Sequence, residues 1–162
     1  MTNHSTIAVD ALVRQMESAF AGPDWHSVLR NLGSCTADDW DWTPPGGRRT
    51  IRDIVRHIAV CKLMWQDQLF GDRRLDWDDA ETIADRTVAG EPDEVIDWLN
   101  ETHAALRDSV ALLVDDALAT PRDGYWDRPR ELGWSITIMI EHDLYHAGEI
   151  NLIRALHQGN DG

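Results

Sequence analysis

A chain of 162 residues, 43% hydrophobic and 27% charged, has the composition of an ordinary folded protein and suits one domain with one sizeable core. Its formal net charge of −14 repels phosphate backbones and anionic lipid surfaces, which argues against nucleic-acid and membrane partners. No apolar run approaches the roughly 18 residues of a membrane span. Met1 to Ile7 is polar and lacks a basic-then-apolar leader pattern, so a cytoplasmic location is expected. Cys35 and Cys61 are too few for a disulfide scaffold and match no zinc-motif spacing, so both are read as reduced thiols.

Glycine and proline divide the chain into four helical segments. The first spans about 5–20, with Val9, Leu12, Val13, Met16 and Phe20 at helical spacing before Gly22-Pro23. Residues 24–32 read as a short helix or an irregular continuation. The second segment, about 50–70, opens on Thr50 with Asp53 three residues on, a capping signal. Ile51, Ile54, Val55, Ile58, Lys62, Trp65 and Leu69 form its stripe, and Gly71 stops it. The acidic stretch 72–89 reads as a loop, with room for a helical turn.

The third segment, about 92–118, starts at Pro92, a favoured first-turn residue, and carries Val95, Trp98, Leu99, Thr102, Leu106, Val110 and Leu113. A connector with Pro121, Gly124 and Pro129 leads to the fourth segment, about 134–157, which ends before Gly159. No stretch alternates at period two over a strand's length. The pattern therefore predicts an all-α protein, a four-helix bundle with long connectors. Trp25, Trp40, Trp42, Trp77 and Trp126 all fall in connectors, where an exposed indole is wasteful, so the connectors are expected to pack down on the bundle.

The strongest local feature is His142-Asp143-Leu144-Tyr145-His146. Residues i and i+4 of a helix differ by about 40° around the axis and about 6 Å along it, so the two imidazoles can converge on one cation. At about 100° per residue they share a face with Ser135, Met139, Glu149, Ile150 and Ile153. That apolar stripe predicts that the pair points into the bundle. Buried polar groups need partners, and a metal gives two neutral imidazoles a shared one. A third ligand has to come from another helix. His57 on the second segment and His103 on the third both lie near their stripes, and the spacing alone does not choose between them.

Two stretches resemble the DinB-like superfamily of four-helix-bundle metalloproteins, which includes the mycothiol-dependent maleylpyruvate isomerase-like proteins. One is Thr50-Ile51-Arg52-Asp53-Ile54-Val55-Arg56-His57-Ile58-Ala59, after a connector rich in Trp and containing Pro-Gly. The other is Glu141-His142-Asp143-Leu144-Tyr145-His146-Ala147-Gly148-Glu149-Ile150. The likeness also touches Gly22-Pro23-Asp24-Trp25-His26 and so spans nearly the whole chain. It implies a single DinB-like domain over 1–162, an up-down-down-up bundle with a long crossover, and often a homodimer. It implies nickel or zinc on three histidines, His57, His142 and His146, with water in the open positions. Some relatives use mycothiol, bacillithiol or glutathione in S-transfer or isomerisation.

Three protein ligands with an open position is the layout of a catalytic metal site. Such an ion can lower the pKa of a bound thiol, so a thiol-dependent S-transferase or isomerase with a low-molecular-weight thiol as cosubstrate is the preferred chemistry. The alternatives are a small-molecule metallohydrolase, since HDLYH is similar to HExxH with Asp143 in the glutamate's place, and a non-catalytic, stress-related metal-binding bundle. Glu149 is the expected helper, to orient an imidazole or move a proton. Asp53, Tyr145 and Cys61 are further neighbours whose commoner roles are capping and packing.

Overall fold

The computed structural model describes residues 5–87, 90–124 and 128–160, and is mostly helical. The elements run α1 (Ile7–Ala21), α2 (Val28–Leu32), α3 (Ala37–Trp40), α4 (Ile51–Phe70), α5 (Trp77–Thr87), α6 (Pro92–Ala111) and α7 (Leu132–Gln158). The four long helices α1, α4, α6 and α7 form the bundle. Helix α4 packs most extensively on α6, and α7 on α1; α4 also lies against α7, and α1 against α6. No helix among the described residues is long and apolar enough to cross a membrane.

Local chemistry sets the helix ends. Thr50 and Asp53 form a reciprocal capping box, in which the Thr50 side chain accepts from the Asp53 N–H and Asp53 accepts from the Thr50 N–H at 2.9 Å. That employs Asp53 as a cap rather than as a site carboxylate. Pro92 opens α6, and Gly159, at φ +68°, closes α7 in the left-handed conformation that glycine tolerates best.

The connectors carry structure that hydropathy alone did not reveal. The stretch 72–89, expected as a loop, contains the eleven-residue α5, whose Ala80 and Ala84 are fully buried. Its burial rests on two alanines, too small a stripe to stand out in an acidic segment. Helix α6 ends at Ala111 rather than near 118; a 3-10 turn, Asp115–Ala119, follows it. The Asp115 carboxylate turns back to accept from the Ala8 and Val9 N–H groups at 2.9 and 3.0 Å, which ties this turn to the start of α1. Pro121–Arg122 and Arg130–Glu131 pair as a minimal antiparallel ribbon.

The connector tryptophans divide. Trp40 is buried and Trp42 packs against the core. Trp25 and Trp77 stay 77% and 42% exposed, against the expectation, and Trp126 lies outside the described residues.

The apolar interior falls into two clusters. One gathers Ile51, Ile54, Ile58 and Met64 of α4 with Leu99 of α6 and Ile150 of α7; the other gathers Leu69, Leu106, Val110, Ile136 and Met139 with Met16 of α1. Between them along the helices sit buried polar residues: Lys62 on α4, Thr102 and His103 on α6, Asp143 and His146 on α7. A polar layer across mid-bundle positions the candidate site.

Candidate metal centre

On α7 the expected face is the buried one. Ser135, Met139, His146, Ile150 and Ile153 are all buried, with His142 and Glu149 half-buried beside them. On α4, the turn that carries Ile54 and Ile58 into the core brings His57 against this face.

His142 is the hub of the three imidazoles. His142 Nε2 lies 3.2 Å from His57 Nε2 and 3.2 Å from His146 Nε2. The rings stand at steep angles, with His57 and His146 edge-to-face at 4.9 Å between centroids. Cys61, one turn after His57, places its Sγ 3.6 Å from His57 Nε2. One ligand atom each from His57, Cys61 and His142 lies within 4.8 Å of the others, a spacing that one metal ion can bridge.

The outer contacts fix the ring of His146. Its Nδ1–H donates to Glu149 Oε2 at 2.8 Å, which leaves the Nε2 lone pair facing His142. Arg49, just before the α4 cap, sits 3.7 Å from the same Glu149 oxygen, so the carboxylate joins a guanidinium to an imidazole. Trp65 contacts His142 edge-on at 5.4 Å, and the 68% exposed Tyr145 lies edge-on to His146 at 4.9 Å.

The electrostatics keep the imidazoles neutral. Burial, then the neighbouring His146 and Arg49, pushes His57 down to about 4. Burial, then His146 and His57, pushes His142 down to about 3. Burial also lowers His146, against the pull of Glu149. Neutral imidazole is the form that ligates a metal. Three ring nitrogens whose lone pairs cluster in a half-buried site repel one another unless a cation or shared protons lie between them. Burial lifts the Cys61 thiol to about 12, so without a cation it stays protonated.

The remaining candidates lie elsewhere. His103 is buried on α6 but stacks on Phe20, with centroids 3.7 Å apart and planes 6° from parallel. His157 bonds to the buried Asp39 at 2.7 Å and stacks on Trp42. His26 lies edge-on to Trp25, and His4 falls outside the described residues. Asp143, between the two α7 histidines, turns away from them and accepts from Lys62 Nζ at 2.7 Å, with both side chains buried. That pair escaped the sequence reading, although a lone lysine in the apolar stripe of α4 was its signal. Arg49 escaped too, because nothing in its spacing tied it to α7.

With this geometry in place, comparison with known families adds one finding. A family model described as the DinB superfamily matches residues 24–150, well over half of the chain. The chain belongs to the DinB superfamily. The matched region includes α4 and the α7 histidines of the cluster, together with Glu149. No curated protein matches the chain.

Proposed function

We propose that this DinB-superfamily chain holds one divalent ion, nickel or zinc, on His57, His142 and His146, and uses it in thiol-dependent S-transfer or isomerisation. The observation that supports the reading is the position of His142 Nε2, 3.2 Å from both His57 Nε2 and His146 Nε2. Metal–nitrogen bonds of about 2.0–2.1 Å around a tetrahedral ion give nitrogen–nitrogen edges of about 3.3–3.4 Å, so the two edges at His142 are already near the size that an ion demands. When bound, the ion lowers the pKa of a low-molecular-weight thiol and makes it a nucleophile at neutral pH.

The residues around it have separable roles. Glu149 holds the His146 ring through Nδ1–H, keeping Nε2 aimed inward. Its second oxygen is the group we assign to moving a proton during isomerisation. Arg49 pairs with Glu149 at 3.7 Å and adds positive charge at the site of an otherwise acidic protein. The ion pair with Lys62 occupies Asp143, which speaks against the hydrolase alternative that needs this carboxylate as a base.

Titrating mycothiol, bacillithiol and glutathione into the cobalt-substituted protein tests the thiol reading. One of them should change the visible cobalt spectrum with saturation at one equivalent. Unchanged spectra with all three would leave a non-catalytic metal-binding bundle as the better account.

The proposal includes a homodimer. Tyr145, Leu152 and Leu156 are 68%, 58% and 56% exposed and recur along one face of α7, an apolar stripe that a second copy of the chain can cover. Sedimentation at micromolar concentration should give twice the 18.4 kDa chain mass, and Leu152→Glu should halve it. A monomer mass for the unsubstituted protein would contradict this.

A further inference from the structure

The cluster contains a fourth donor that the three-histidine site does not use. Cys61 is 8% exposed and follows His57 by one turn of α4, so the two side chains share a face. Its Sγ stands 3.6 Å from His57 Nε2 and 3.8 Å from Nδ1. A tetrahedral ion with nitrogen bonds of about 2.05 Å and a sulfur bond of about 2.3 Å has nitrogen–sulfur edges of about 3.5–3.6 Å. The observed edges are 3.2 and 3.2 Å between nitrogens and 3.6 Å from sulfur to nitrogen. Three of the six edges of an N3S tetrahedron are thus near their lengths before any ion is placed, and His57, Cys61 and His142 offer ligand atoms within 4.8 Å of one another.

We propose that Cys61 is the fourth ligand of the resting site and that an incoming small thiol or selenol displaces it. This rests on the metal reading above and deepens it: the site is closed at rest and opened by its own cosubstrate. The exchange balances without an oxidant. The incoming S–H or Se–H gives up its proton as its chalcogen binds, and the Cys61 sulfur leaves the ion and takes up one proton as a neutral thiol. One bond to hydrogen breaks, one forms, and the charge of the site is unchanged. Replacing one thiolate by another keeps the donor type, so the exchange is set by the cosubstrate concentration against the effective concentration of the tethered Cys61. Other small molecules that bind metals weakly do not displace a thiolate, and the site is thereby selective for thiols. Among the described residues nothing besides the His57 ring contacts the Cys61 sulfur at hydrogen-bond range, so no second partner resists its release.

X-ray absorption at the zinc edge, on the full zinc-loaded chain, counts the donors directly. Zinc in the unsubstituted protein should show one sulfur at about 2.3 Å and the remainder nitrogen or oxygen. Cys61→Ser should keep stoichiometric zinc with no sulfur, and benzeneselenol added anaerobically should place one selenium on zinc in both proteins. In the unsubstituted protein the sulfur should vanish as the selenium enters. No sulfur in the resting protein, a sulfur that survives in Cys61→Ser, or sulfur and selenium together would each overturn the proposal. So would a failure of selenium to appear in either protein. A protein that binds no zinc fails the underlying metal assignment instead, which elemental analysis of the same sample reports separately.

Discussion

Replacing Lys62 by methionine should lower the stability of the protein by about 3–5 kcal/mol, the cost of breaking a buried ion pair by removing one partner. For a chain of this size that is a fall of about 6–20 °C in Tm, at about 2–4 °C per kcal/mol. Lys62 and Asp143 are each 2% exposed, and their bond spans α4 and α7 at 2.7 Å. Asp143 Oδ1 has no hydrogen-bond partner among the described residues, so without the ammonium the carboxylate is left buried and unsupported. Lys62 also lies 5.2 Å over the Phe20 ring, a second contact that methionine only partly replaces.

The pH dependence follows from Asp143. Burial holds its pKa above the ordinary carboxylate range even with Lys62 beside it, and removing the lysine can only raise it further. A carboxyl whose folded pKa is raised destabilises the fold above that pKa and ceases to do so as it protonates. The deficit of Lys62→Met should therefore shrink as the pH falls from 7 toward 5. The double variant Lys62→Met with Asp143→Leu should recover most of the loss, because an apolar pair of similar volume replaces two desolvated charges. Chemical denaturation of the three proteins at pH 7 and pH 5 measures these differences. A loss below 1 kcal/mol in the single variant at pH 7 would show that the pair does little for the fold.

How much of this was legible beforehand depended on periodicity. Helices α4 and α7 announced themselves through long apolar stripes and clear caps at Thr50 and Gly159, and their limits differ from the expected ones by at most two residues. Helix α5 did not, because a helix that buries only Ala80 and Ala84 has no stripe to read in an acidic stretch. The inward face of α7 was readable for the same reason as the helix itself, since His142 and His146 ride on the stripe of Met139, Ile150 and Ile153.

The partners across the bundle were not readable from spacing. His57 and His103 looked alike as helix residues flanking an apolar stripe. What separates them is the packing of α4 against α7, which brings His57 to 3.2 Å of His142 and leaves His103 stacked on Phe20. Likeness to a family chose His57 where the spacing did not. Asp143 shows the opposite failure. Its place in an HExxH-like run suggested a base near the histidines, yet a residue one position from His142 points about 100° away, into the bundle and onto Lys62.

The second large effect expected is on metal binding. His57→Ala, His142→Ala and His146→Ala each remove one of three converging imidazoles and should weaken zinc or nickel binding by at least 100-fold, to substoichiometric loading after dialysis. Glu149→Gln keeps all three rings but weakens the contact that aims His146, and should cost a smaller factor of about 10–100. His103→Ala, also a buried histidine, should keep its metal in full, which separates ligand loss from general damage to the bundle. Elemental analysis of the purified chain beside His57→Ala, His142→Ala, His146→Ala and His103→Ala is the most direct measurement of the site. One divalent ion per chain, lost in the first three and kept in the fourth, is the predicted result; full metal content in any of the first three would contradict the assignment.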